Sequence, residues 1–270
     1  MPQYALGSDD TEIGRLQTQA VMLAGPTELL LQRAGIRRGM RVLDLGAGPG
    51  DVTFQVAGMV GAEGYVVGLE LDPAQLAVAE RRRAAMGVAN VEFRQGDACT
   101  FTTVEPFDAV VCRLLLLHLP NAAEVIRHHR DNLRPGGLIV AIDYDTGSAR
   151  TLPEVALFSQ VLNWLNAAFR HAKADPFIGM RLPTYFEQAG YQKVDSLGLQ
   201  MYLRPSDPLS AEYVTGVAKA MKPALLRSGV TTEDELGLDT LTQRLADALQ
   251  SANAVFTMPT VVGVWGRRPG

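Results

Sequence analysis

The chain has 270 residues and a mass of 29.2 kDa, with 47% apolar and 20% charged residues at a mean hydropathy of +0.05. That is enough for one large α/β domain with a full core, and it excludes a disordered or peptide-sized scaffold. A formal charge of −4, a pI near 5.6 and no basic cluster beyond Arg81-Arg82-Arg83 exclude an extended duplex-binding surface, so no nucleic-acid partner is expected.

Only Cys99 and Cys112 are present, without Cys-x-x-Cys spacing, and neither a leading basic-then-apolar segment nor an apolar run of about 18 residues occurs. This predicts a reduced, cytoplasmic chain that spans no membrane. Ile13, Leu16, Ala20 and Leu23 recur at helical spacing over residues 11–24, and a second short helix over 27–34 stops at Gly35. Residues 41–45 form a β-type run ending at a glycine cluster. Strands over 65–70, 91–95, 109–114 and 138–142 then alternate with helices over 52–59, 73–86 and 122–133. The helix at 73 is signed by Asp72 as cap, Pro73 at its first position and Gln75 as capping-box partner. Alternation of this kind predicts βαβ units and a mostly parallel sheet covered on both faces.

Beyond Asp145 the rhythm changes. Helical patterns over 153–171 and 182–189 precede a strand-like run over 193–203, two more helical patterns over 211–226 and 239–252, and a last strand over 260–266. With no repeat or linker, residues 1–270 read as one unit. Residues 1–36 form a helical lid, 37–145 the ligand-binding core, and 146–192 with 204–255 a helical cap.

Asp44-Leu45-Gly46-Ala47-Gly48-Pro49-Gly50 lies where a strand hands over to a helix, the place at which open parallel sheets bind ligands. Alone, such a cluster also fits a bare βα turn. A dinucleotide fingerprint wants its third glycine at position 51, where Asp51 would repel a pyrophosphate from the helix start. This argues against the nicotinamide-dependent oxidoreductase alternative. Glu70 ends the second strand, where an ionised carboxylate can accept from both hydroxyls of a ribose. After the third strand come Gly96, Asp97 and Ala98: the Asp97 carboxylate can accept from an exocyclic adenine amine and the Ala98 N–H can donate to a ring nitrogen. Asp97 as a plain turn residue is the competing reading.

This motif series, with Phe107-Asp108 opening the fourth strand and Leu133-Arg134-Pro135-Gly136-Gly137 ahead of the fifth, resembles class I S-adenosylmethionine-dependent methyltransferases over about residues 40–143. Gly7-Ser8 through Glu12, Arg15-Leu16 and Gln19 resemble, more loosely, the opening of a bacterial small-molecule subgroup. The resemblance implies a Rossmann-like doubly wound α/β fold, a seven-stranded sheet whose last strand is antiparallel, with the 193–203 and 260–266 strands in that hairpin. It also implies S-adenosyl-L-methionine as cofactor and S-adenosyl-L-homocysteine as product. It sets Asp44, Gly46, Ala47 and Gly48 beside the methionine half, Glu70 beside the ribose, Gly96, Asp97 and Ala98 beside adenine, and Leu71 over one adenine face. Cys112 and Arg113 fall where the family's backbone meets the methionine ammonium, with Arg113 equally suited to a salt bridge. Tyr4, Arg15 and Gln19 fold over the same site or lie on an exposed helix face.

His118 is the candidate general base, weighed against a packed histidine, while His128 and His129 read as a solvated helix face. Asp143, Tyr144 and Asp145 are placed to orient or deprotonate an acceptor; lacking a third ligand, they predict no metal. Phe158, Trp164, Phe169, Phe177 and Met180 are candidate acceptor-pocket walls. The polar-Pro-Pro-aromatic motif of DNA and RNA amino-methyltransferases is replaced by Val111-Cys112-Arg113-Leu114-Leu115. The reading is methyl transfer to a small, largely apolar metabolite, of the kind made in secondary metabolism. A protein using the bound sulfonium without transferring its methyl is the alternative, and a homodimer is left open.

Overall fold

The computed structural model describes residues 10–270, with side chains from Val21 onward. The elements run α1 (Asp10–Ala34), β1 (Arg41–Leu45), α2 (Asp51–Val60), β2 (Tyr65–Glu70), α3 (Pro73–Met86), β3 (Val91–Gln95), β4 (Phe107–Arg113), α4 (Ala122–His128) and β5 (Leu133–Asp145). They continue β6 (Arg150–Leu152), α5 (Ala156–His171), α6 (Ile178–Gln188), β7 (Gln192–Leu199), β8 (Tyr202–Leu203), α7 (Leu209–Ala220), α8 (Lys222–Ser228), α9 (Glu233–Leu236), α10 (Leu238–Ala252), β9 (Val255–Thr257) and β10 (Thr260–Arg267).

Seven strands form one sheet in the order β3-β2-β1-β4-β5-β10-β7, parallel from β3 to β5, with β10 antiparallel to both β5 and β7. This is the Rossmann-like sheet with an antiparallel last strand that was expected. Side chains alternate across it. Val42, Val66, Ala109 and Val140 face α1, α2 and α3, while Leu43, Val67, Val110 and Ile139 face α4, α5 and α6 and share their core with α7, α8 and α10. The strands are buried on both faces, which explains their near-continuous apolar runs.

Four expectations need correction. The N-terminal helices are one helix, α1, with Pro26 inside it. Buried Leu23 before the proline and Leu30 and Leu31 after it hold both halves in the core, so packing overrides a residue that usually ends a helix. The 193–203 run is two strands: Gln200 donates its side-chain N–H groups to Ser148 O and Met258 O, and β8 then pairs with β9 in a separate sheet ordered β6-β9-β8. The 211–226 pattern is likewise two helices, with Pro223 in the first turn of α8. Finally, α6 lies on the main sheet against β5, β10 and β7 rather than in a cap. Asp72 does cap α3, its Oδ1 accepting the Ala74 N–H at 2.8 Å. No helix among the described residues is long and apolar enough to cross a membrane.

Candidate active site

Strand order reverses at β1, whose chain neighbour β2 lies on one side and β4 on the other, and ligands of open α/β sheets bind outside the carboxyl ends of the strands at such a reversal. Gly46, Gly48 and Gly50 all take left-handed φ there (+66°, +54° and +92°). A Cβ added at Gly46 would lie 2.9 Å from Leu115 Cδ1, and one at Gly50 2.7 Å from Phe54, but one at Gly48 would meet nothing within 4 Å. Gly48 therefore presents open backbone, the condition for close approach of a ligand. The Glu70 carboxylate reaches back to this turn: Oε2 accepts the Gly48 N–H at 2.8 Å and Oε1 accepts the Asp72 N–H at 2.9 Å. Each oxygen keeps lone-pair capacity for a further donor.

Asp44 is buried at 1% exposure beneath the turn, and its Oδ2 accepts the Thr53 hydroxyl at 2.6 Å. Burial drives its pKa up to about 7, opposed by the Thr53 hydrogen bond and by the Arg113 charge. Asp51, at the first position of α2, is bound by Arg82, whose second N–H group donates to Pro49 O. This ion pair offsets the charge with which Asp51 was expected to repel a pyrophosphate from the helix start.

After β3, Gly96 N–H donates to Glu70 O, tying this loop to the end of β2. Asp97 is exposed; its Oδ1 accepts the Cys99 N–H at 2.8 Å, so it is a turn residue whatever else it does. The His128 and His129 expectation is overturned for His129, which is fully buried. Its Nε2 lies 2.8 Å from Ala98 O and its Nδ1 2.9 Å from Asn132 Nδ2, and burial lowers its pKa to about 4. His128 is partly buried, with Nε2 2.8 Å from Phe101 O.

At the end of β4, Cys112 is buried and its thiol is held protonated by burial and by the Asp143 and Asp44 charges. The Arg113 guanidinium is largely buried and donates to Thr27 Oγ1 of α1 at 3.1 Å. Leu114 follows at φ +52°, a conformation that a leucine adopts only under constraint, and Leu115 then covers Gly46. His118 is half-buried on the 3-10 turn Leu116–His118. Asp143 braces that turn: at 1% exposure, its Oδ2 accepts the Leu117 N–H and its Oδ1 the Tyr144 N–H, and burial raises its pKa to about 7. Its carboxylate therefore faces backbone rather than an open cleft. Asp145 instead caps the turn Thr146–Ser148 through Gly147 N–H. The two acids do not converge, and no cluster of His, Cys, Asp or Glu among the described residues could hold a metal ion.

Tyr144 is buried and lines a cavity of about 110 Å³ with Leu23 and Pro26 of α1, Leu199, Met201, Met258 and Val261. None of the expected wall residues lines it. Phe158 and Phe169 are core, with Phe158 against Phe256 at 5.0 Å between ring centres; Trp164 and Phe177 are half-buried, and Met180 is 69% exposed. Amphipathic spacing on α5 marks core rather than pocket. Leu71 is 49% exposed beside Glu70. Tyr4 lies outside the described residues, as do the side chains of Arg15 and Gln19. Sequence reading missed Thr53, Leu115, Asn132 and the burial of His129; only Thr53, one helical turn into α2 and facing β1, carried a positional signal.

A glycine turn and two acids at the reversal of a doubly wound sheet define a site for a nucleoside-bearing ligand. A family model described as a methyltransferase domain matches residues 36–193. The chain is 31% identical over 181 residues to the ubiquinone/menaquinone biosynthesis C-methyltransferase UbiE of Idiomarina loihiensis, covering 60% of this chain and 70% of that one. It is 32% identical over 114 residues to the demethylmenaquinone methyltransferase of Lactococcus lactis, covering 42% and 45%. It therefore spans about half or more of these curated relatives. Among solved structures, Haemonchus contortus phosphoethanolamine N-methyltransferase 2 shares the fold at TM-score 0.57 and 20% identity over 91% of this chain and 53% of that one. The [4+2]-cyclase SpnF does so at TM-score 0.53 and 17% identity over 91% and 81%. The chain belongs to the family of S-adenosylmethionine-dependent methyltransferases. The open backbone at Gly48, the remaining acceptor capacity of Glu70 and the buried acid Asp44 fit that cofactor, a cation carrying a ribose diol.

Proposed function

We propose that this methyltransferase acts on a small, largely apolar acceptor seated between α1 and the ends of β5, β7 and β10. The observation that carries the acceptor reading is the apolar cavity lined by Leu23 and Pro26 of α1 with Tyr144, Leu199 and Val261, and the bond from Gly48 N–H to Glu70 supports the cofactor half by joining the glycine turn to the acid of the diol site. In this reading Glu70 accepts from the ribose hydroxyls, Asp44 and the backbone of Gly46, Ala47 and Gly48 border the methionine half, and Leu71, Gly96, Asp97 and Ala98 border adenine. The Cys112 backbone and the Arg113 guanidinium meet the amino-acid end, with Tyr4 and Arg15 closing over it.

Bound S-adenosylmethionine supplies a methyl group on a positively charged sulfur. The protein's part is alignment and exclusion of water, which contribute about 7 to 11 kcal/mol when reacting atoms are held in line. His118, on the turn braced by Asp143, takes the proton where the nucleophile carries one. The cavity beside Tyr144 is walled mostly by aliphatic and thioether groups, and the amide of Gln200, which also lines it, donates to Ser148 O and Met258 O, which favours an apolar acceptor. The names of the relatives carry C-methylation, so a carbon nucleophile is the first acceptor class to try.

The test is incubation with methyl-labelled S-adenosylmethionine and a metabolite extract, with label traced by mass spectrometry in small-molecule and macromolecular fractions. Label in an extractable small molecule supports the proposal and names the acceptor. Label confined to protein or nucleic acid overturns the acceptor class.

A further inference from the structure

The loop after β3 is held from beneath by side chains at the end of α4, and its chemistry is determinate. Asn132 is 1% exposed and its side-chain amide has two N–H donors: one reaches Phe101 O at 2.8 Å and the other His129 Nδ1 at 2.9 Å. Its Oδ1 accepts the Thr103 N–H at 3.1 Å, so every group of the amide is used. Nδ1 of His129 must then be the acceptor, which leaves the ring proton on Nε2, aimed at Ala98 O. Burial, which lowers the imidazole to about 4, keeps the ring neutral, as an acceptor at Nδ1 requires.

The Ala98 carbonyl shares a planar peptide with Cys99 N–H, and the two point in opposite directions. Drawing the carbonyl inward to His129 turns the Cys99 N–H outward, where it meets Asp97 Oδ1. The histidine thus reaches the Asp97 carboxylate through a single rigid peptide group.

We propose that His129, oriented by Asn132, is a positioning residue that aims the Asp97 carboxylate and so sets recognition of the base half of the cofactor. The proposal rests on the reading of Asp97 and Ala98 as adenine contacts. It assigns a binding role to a buried side chain that does not itself face the ligand.

The test measures base discrimination by calorimetry with S-adenosylhomocysteine and its 6-deamino analogue, in which purine replaces adenine, so that the exocyclic amine is lost while the ring nitrogen N1 remains an acceptor. Wild type should prefer the adenine compound by roughly tenfold to a hundredfold, the range of one charge-assisted hydrogen bond. His129→Leu should bring that ratio toward one, and His129→Gln, which keeps a donor near Nε2, should restore it. A ratio unchanged in His129→Leu overturns the proposal. In Asp97→Ala, lost discrimination alongside intact discrimination in His129→Leu overturns the positioning role alone, whereas retained discrimination in Asp97→Ala overturns the adenine reading itself. Nitrogen NMR of the wild-type protein at pH 7 supplies a check that needs no variant: a neutral ring protonated at Nε2 is expected, and an Nδ1–H or charged ring overturns the assignment.

Discussion

Glu70 Oε2 accepts the backbone N–H of Gly48 at 2.8 Å, so the acid that ends β2 also closes the glycine turn that follows β1. One side chain thereby shapes the turn and offers its remaining lone pairs to a diol. Glu70→Gln removes the charge, and its single amide oxygen can accept from only one of Gly48 and Asp72, which leaves the other backbone N–H facing an amide N–H. Affinity for S-adenosylhomocysteine should fall roughly tenfold to a hundredfold, corresponding to about 1.5 to 3 kcal/mol, and the urea midpoint should fall by the smaller amount that one lost backbone hydrogen bond costs. Calorimetry and urea unfolding on the same variant separate the two effects. Unchanged affinity would remove Glu70 from the diol site.

Asp44 couples the site to pH. Its carboxyl is raised on folding from 3.8 to about 7, so its contribution to stability is fully present below 3.8 and is lost as pH rises through about 7. His129 has the opposite sign: lowered from 6.5 to about 4, it contributes above 6.5 and loses that contribution as pH falls through 4. A cation bound above Asp44 favours the carboxylate, so S-adenosylmethionine binding near pH 7 should release a proton from Asp44 and tighten as pH rises from 6 to 8. Calorimetry in buffers of different ionisation enthalpy reads that proton directly. Asp44→Asn should bind more weakly and release none; equal proton release by wild type and variant would place the coupling elsewhere.

The parts of this site that lie near each other in sequence were legible, and those assembled by distant segments were not. Strands 41–45, 65–70 and 91–95 and helix 73–86 have the bounds that the apolar period and the Asp72-Pro73 start signal indicated. The glycine turn and Glu70 are strand-end features of those same elements. The small sheet that pairs Thr151 with Phe256, and Phe256 with Leu203, escaped notice because its strands are only two or three residues long and carry no period. Pro26 suggested a break that the burial of Leu30 and Leu31 overrides. His129 looked solvated because its neighbours Arg127, His128 and Arg130 are polar. Its burial depends on Ala98 and Asn132, which only the fold brings together.

Gly68 stands opposite Asp44 in the β1–β2 register, and its missing side chain makes room for the Thr53–Asp44 bond. A Cβ there would lie 2.6 Å from the Phe93 ring and 2.8 Å from Thr53 Oγ1. Gly68→Ala should destabilise the fold by about 1 to 3 kcal/mol through overpacking. It should also weaken cofactor binding by displacing the Thr53 hydroxyl. Thr53→Val removes that hydroxyl without adding volume, so it should reproduce the binding loss. A binding loss in Gly68→Ala that Thr53→Val does not share would trace it to Phe93 instead.

Leu199 ends β7 and is half-buried against the cavity that Tyr144 and Val261 also line. Replacing it with tryptophan fills apolar space on the side away from the glycine turn of β1, since three strands, β4, β5 and β10, separate β7 from β1 in sheet order. If the cavity seats the acceptor, Leu199→Trp should raise KM for the acceptor found by labelling at least about tenfold, the size of a few lost apolar contacts. Affinity for S-adenosylhomocysteine should stay as in wild type. Steady-state kinetics and calorimetry together decide it: unchanged KM would move the acceptor out of this cavity, and a parallel loss of cofactor affinity would mean that the substitution disturbs the sheet rather than the pocket.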